Sequence, residues 1–230
     1  MSNQNPVRVL VWDENPPHAK KELYPNGIRT VVADALNALG NGEIIADTAN
    51  LDDENQGITS EKLKNYDVLI WWGHARHGEV SDEVAQIVKN AVHKDGLGFL
   101  PLHSGHYSKT YKAVLDATGH LFGGWREVEG FEREEITVCA PQHPIAQGIE
   151  DFVIDAEEMY GSPFGAPPFL TLVFQSYFPL NDDYFPCGFT VTVGDGIDPE
   201  FTSGPGGGKH QGRGIGRVFY FRPGHETVPT

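Results

Sequence analysis

Apolar residues in this chain follow two rhythms. Short unbroken runs recur at residues 7–11, 67–72 (DVLIWW) and 98–102 (GFLPL), each too short for a helix and bounded by polar positions, which predicts buried strands. Between them the apolar positions fall at helical spacing. Ile28, Val31, Val32, Ala35, Leu36 and Leu39 form one stripe, closed by Gly40. Val84, Ile87, Val88, Ala91 and Val92 form another, opened by Ser81 with Asp82 and Glu83 behind it. A brief strand near residues 43–46, a short helix started by Thr59 or Ser60, and a helix over about residues 108–117 that stops at Gly119 complete the first half. Strand and helix alternate throughout. That order predicts an α/β fold, a three-layer doubly wound and mostly parallel sheet with helices on both faces. Beyond Gly119 the pattern turns strand-rich, at residues 135–139, 170–174, 189–193 and 217–221, and these strands are expected to extend the sheet as antiparallel pairs. No composition shift or linker divides the chain, so residues 1–230 read as one domain.

Charge narrows the partners. The 32 acidic and 17 basic residues give a formal net charge of −15, which repels phosphate backbones and anionic headgroups, so neither nucleic acid nor a membrane surface is expected. MSNQNPVRVLVW has no charged segment followed by an apolar one, and no run of about 18 apolar residues occurs. A soluble, cytoplasmic protein is expected, which suits two isolated cysteines, Cys139 and Cys187, that form neither a redox pair nor a disulfide framework. The glycine-rich SGPGGGKHQGRGIG within residues 194–216 precedes a strand, whereas a phosphate cradle lies between a strand and a helix N-terminus. It reads as a connecting loop. With no dinucleotide fingerprint elsewhere, no nucleotide cofactor is expected.

In open parallel sheets, ligands bind beyond the carboxyl ends of the strands. The polar residues there are Asp13, Glu14 and His18 after the first run, His74 and His77 after the third strand, His103 and His106 after the fourth, and Arg222, His225 and Glu226 after the last. Six of ten histidines thus follow strand ends. Clustered neutral imidazoles with a nearby carboxylate suit a divalent ion, Zn²⁺ first, and equally suit metal-free acid–base work. The repeated H-x-x-H, as HARH and HSGH, does not separate the two, because neither copy has a Glu inside it or a clear helix beneath it. Ser104 sits on a strand-to-helix turn but lacks the G-x-S-x-G elbow, and it reads as a polar or capping side chain ahead of a nucleophile.

Five segments together, VLIWWGHARH, GFLPLHSGHYS, HPIAQGI, AEEMYG and GRVFYFRPGHE, resemble the ThuA-like (trehalose utilisation) family of the class I glutamine amidotransferase-like group. Against the amidotransferase elbow G-x-C-x-G-H-Q, residues 101–107 read PLHSGHY, so His103 stands where the nucleophilic cysteine would be. The resemblance implies a flavodoxin-like core, no glutaminase chemistry, and a site that includes Glu158 and His225. Joined to the strand-end residues, it yields a working set: His103, His106 and Glu158 as catalytic groups; His74, His103, His106, Glu158 and His225 as metal ligands; Asp13, Glu14, His18, His77, Ser104, Tyr160 and Arg222 against a small-molecule carbohydrate. The implied activity is hydrolase, lyase or isomerase chemistry on a 3-keto disaccharide, and the alternative is a non-catalytic carbohydrate-binding or regulatory role on the same scaffold. Relatives generally continue into a closing helix past PGHET, so the expectation is either that the sequence is cut short there or that another subunit, in a homo-oligomer, supplies that cover.

Overall fold

The computed structural model describes residues 5–194 and 216–227. β1 (Val7–Asp13), β2 (Ile44–Asn50), β3 (Val68–Trp72), β4 (Gly98–Leu102) and β11 (Gly216–Phe221) run parallel in the order β2-β1-β3-β4-β11. This is the 2-1-3-4-5 arrangement of flavodoxin-like sheets. The same sheet then continues antiparallel through β10 (Asp183–Val193), β9 (Thr171–Phe178), β6 (Glu132–Val138) and β7 (Phe152–Glu157), nine strands in all. The predicted α/β class, parallel half and antiparallel extension are all present. A second, two-stranded ribbon pairs β5 (Trp125–Arg126) with β8 (Met159–Tyr160). The glycine-rich segment lies almost wholly outside the described residues.

Strand alternation divides the core between the two sheet faces. Val9, Val11 and Ile70 face α1 (Ile28–Leu39), where Ala33 meets them. Leu10, Trp12, Leu69 and Trp71 face the other way, onto α3 (Asp82–Asp95), α4 (Lys109–Leu115) and the short α2 (Ser60–Leu63). Trp12 and Trp71 are register partners on adjacent strands, and their rings stack with centroids 3.6 Å apart. The helix starts follow the sequence signals, with Thr59, Ser81 and Ser108 each accepting a first-turn backbone N–H. α4 ends earlier than expected, at Asp116 in the left-handed region with φ 50°, and Gly119 has a different task. A Cβ at Gly119 would come within 1.9 Å of the His106 carbonyl, so only glycine lets the chain pass behind the histidine turn. Among the described residues no helix is long and apolar enough to cross a membrane.

Candidate active site and metal-binding cluster

The carboxyl ends of β3, β4 and β11 meet because these strands are neighbours in the sheet. They deliver His74, His103 and the pair His225–Glu226 to one point, and the loop after β1 adds His18. β8 and the residue before it bring Tyr160 and Glu158 to the same cleft.

His103 is the centre. It follows β4 with φ 50°, a left-handed conformation that costs a β-substituted residue free energy and clusters at functional sites. Its imidazole is fully buried, and Nδ1 lies 3.2 Å from the Arg222 carbonyl, which fixes Nδ1–H as donor and leaves Nε2 as the acceptor. Around Nε2 stand His74 Nδ1 at 3.1 Å, Tyr160 Oη at 3.4 Å and Glu158 Oε2 at 3.5 Å. Burial, followed by the fields of His74, His225 and Arg222, holds the His103 pKa well below the usual histidine range. The ring is therefore neutral at pH 7, available as a ligand or a base.

His74 Nδ1 also lies 3.0 Å from Ser104 Oγ, which bonds the Tyr160 hydroxyl in turn. This resembles a nucleophile–base pair, but its third member is out of place. His74 Nε2 is 3.9 Å from Glu226 Oε1, and that oxygen is held at 2.5 Å by His18 Nε2. Glu226 is buried and its second oxygen makes no hydrogen bond, with His225 Nδ1 3.8 Å away. His225, edge-on to His74 and His103 at 5.3 Å from each, has its pKa lowered by burial. One nitrogen each from His74, His103 and His225 and one oxygen of Glu226 lie within 4.8 Å of one another, so this His₃Glu set could hold a metal ion. Glu226 Oε2, buried without a hydrogen bond, and the unprotonated His103 Nε2 are the donors such an ion needs.

Beside the cluster is a cleft of about 200 Å³, floored by His74, Ser104, Glu158 and Tyr160 and walled by Tyr107 and Trp125. Larger hollows of about 750 Å³ lie against the sheet and beside Pro16 and Pro17, but neither is lined by the clustered histidines. Glu158 is buried, Oε2 makes no hydrogen bond, and burial raises its pKa to about 7 against the opposing Tyr160 hydroxyl and Arg222 charge. Tyr160 is driven well above 10, again chiefly by burial, and stays a hydroxyl.

Several expected site residues do other work. Asp13 caps the start of α1, accepting from Arg29 N at 3.0 Å and pairing with its guanidinium at 2.7 Å. Glu14 holds the loop after β3 through the backbone N–H groups of Ala75 and Arg76, at 2.5 and 2.9 Å. Neither carboxylate is free for a substrate. Arg222 is fully buried between Glu134 and Glu157 and donates to the Glu158 carbonyl at 2.8 Å, so it positions Glu158 from behind. His106 is not brought to the metal cluster. Its Nδ1 meets the Tyr220 hydroxyl at 3.0 Å and the His103 carbonyl at 3.1 Å, its ring packs on Tyr160 and Phe164, and burial lowers its pKa to about 3. His77 is likewise neutral, its pKa lowered by burial to about 4, and packs against Tyr107 away from the cleft floor. Glu158 faces His103 but Glu226 is the carboxylate of the metal set, a residue whose one sequence signal was its place beside His225.

No curated protein matches the chain. A solved structure described as a GMP synthase component from Thermoplasma acidophilum superposes with a TM-score of 0.44 at 15% identity, covering 79% of this chain and 83% of that one. Residues 8–229 match the profile of the ThuA family, described as trehalose utilisation. With nearly every residue inside that match, from β1 through the His225–Glu226 pair, the chain belongs to the ThuA family, and with it to carbohydrate utilisation.

Proposed function

We propose that this protein is an enzyme that removes a proton adjacent to the carbonyl of a 3-keto disaccharide, such as 3-ketotrehalose, and so cleaves or isomerises it. The observation that carries this reading is Glu158: a buried carboxylate on the cleft floor, with an unpartnered oxygen and a pKa raised to about 7. A general base works best with its pKa near the working pH, and no nucleophile is required. In the proposed step Glu158 Oε2 takes the proton from the carbon beside the keto group, and the electron pair left behind moves onto the carbonyl oxygen as an enediolate. Tyr160 retains its proton and can donate to that oxygen from the same floor, supported by Ser104. Glu158 then returns the proton, to the neighbouring carbon in isomerisation, or to the glycosidic oxygen as the enediolate collapses and the bond from the anomeric carbon to that oxygen breaks.

His74, His103, His225 and Glu226 would hold a divalent ion, with Zn²⁺ our assignment from the nitrogen-rich donor set. When bound it would supply positive charge to the developing enediolate. Because an unoxidised sugar has no acidified C–H, a separate dehydrogenase must supply the keto group. Incubation with 3-ketotrehalose and with trehalose tests the proposal. Conversion of the keto-sugar alone, abolished in Glu158→Gln, is expected; equal cleavage of trehalose, or keto-sugar turnover that survives Glu158→Gln, would overturn it.

A further inference from the structure

Trp125 is 60% exposed, although a large apolar side chain gains by leaving water. It lines the cleft at its exposed rim, and its indole makes no ring stack or side-chain hydrogen bond among the described residues. The backbone beneath it is fixed. Trp125 pairs with Tyr160 in the β5–β8 ribbon, Gly161 N donates to the Gly124 carbonyl at 2.9 Å, and Gly123 N donates to the Pro163 carbonyl at 3.1 Å. Gly123 and Gly161 are in backbone contact, since a Cβ on Gly123 would fall 2.5 Å from the Gly161 carbonyl and one on Gly161 would fall 2.8 Å from the Gly123 carbonyl. The indole is thus carried at a set position relative to the Tyr160 hydroxyl and to Glu158.

A cleft of about 200 Å³ has room for one sugar ring beside the base, and a disaccharide's second ring must lie at the mouth. The residues lining the cleft include two carboxylates, Glu127 and Glu158, and no lysine or arginine. A cleft lined by carboxylates with no lysine or arginine offers no cation to a phosphate or uronate group and leaves the apolar C–H face of a neutral pyranose as the surface to recognise, which an aromatic ring does by stacking. We infer that Trp125 is the stacking platform for the second, uncharged sugar ring of a disaccharide whose first ring is seated over Glu158. This rests on the proposed function for the first ring, and it adds the recognition of the second.

The test compares wild type, Trp125→Phe and Trp125→Ala on 3-ketotrehalose and on a methyl 3-keto-glucoside, which lacks the second ring. Trp125→Ala should lower kcat/KM for the disaccharide about tenfold, mainly through KM, and change the methyl glycoside less than twofold; Trp125→Phe should restore most of the loss. A titration calorimetry series with the two sugars and the Glu158→Gln protein, with and without Trp125→Ala, reads the same difference as binding without turnover. Equal losses for both sugars, or none for either, overturn the platform. If wild type turns over neither sugar, the proposed reaction fails, and the calorimetric comparison still decides the platform: a tenfold disaccharide-specific loss supports it, and absent or equal binding rejects it. A 6-phosphorylated disaccharide that bound as tightly as the neutral one would overturn the charge argument.

Discussion

Glu158→Gln should make the folded protein more stable while it stops the proposed reaction. Between pH 4.5 and about 7 the folded state keeps the Glu158 proton that the unfolded chain has released, so folding is disfavoured as pH rises through that window. A raised carboxylate pKa contributes fully only below the unfolded value and costs the folded state above the folded one. A shift from 4.5 to about 7 corresponds to about 3 kcal/mol, present in full above pH 7. Glutamine has nearly the same shape and never ionises, so the variant escapes that cost. Urea unfolding in chelator, which keeps a bound cation from masking the charge, should show the variant's advantage growing by about 2–3 kcal/mol from pH 5 to pH 8. Keto-sugar turnover measured on the same preparations should fall at least about 100-fold. A stability gap that is the same at pH 5 and pH 8 would show that Glu158 ionises normally, and the reasoning that makes it the base would go with it.

Acid should unfold the protein early. His77, His103, His106 and His225 all have lowered pKa values from burial, so the stability each contributes is present above about 6.5 and is lost as pH falls toward its folded value. Glu157 and Glu158 act in the opposite sense but are outnumbered, so stability should fall as pH drops from 6.5 to 4.5; a flat urea midpoint over that range would contradict it, and His77→Gln should reduce the slope. Glu226→Gln should weaken zinc binding at least about tenfold by elemental analysis and competition titration, whereas His106→Phe should leave zinc stoichiometry intact; the reverse pattern would mean the cluster is misassigned. Glutamine should yield no ammonia: Cys187 is buried with its thiol pushed up to about 12, Cys139 is also raised by burial, and the elbow carries His103, so ammonia release abolished by either Cys→Ala would refute this.

The elements that were legible in the sequence are those whose cause is local. The α1 stripe and the β4 run coincide with the observed Ile28–Leu39 and Gly98–Leu102, because their apolar periods match one helix face and one buried strand. β7 (FVIDAE) alternates half-buried and exposed positions and carries two acids, and β8 is two residues long, so neither stood out from loop. The histidines at strand ends were found through topology. Which of them converge was not readable, since His103 and His106 are three residues apart yet diverge: the left-handed backbone at His103 sends one ring to Arg222 and the other into the aromatic core. Asp13 and Glu14 looked like ligand groups because sequence shows a carboxylate without showing the backbone N–H groups that occupy it.

β11 lies between β4 and β10, in the middle of the sheet, although it is the last of the described strands to leave the ribosome. Until it inserts, β4 and β10 present two open edges to the cell, and the His103 ring lacks the Arg222 carbonyl that sets its tautomer, 119 residues further along the chain. Every other described strand is therefore made while the nascent protein is a sticky, catalytically empty intermediate, and the closing event is long-range and slow. Chaperone dependence during translation, and loss of all activity on removing residues 216–227 with no partially active fragment, are the biosynthetic signature of a site whose keystone arrives last.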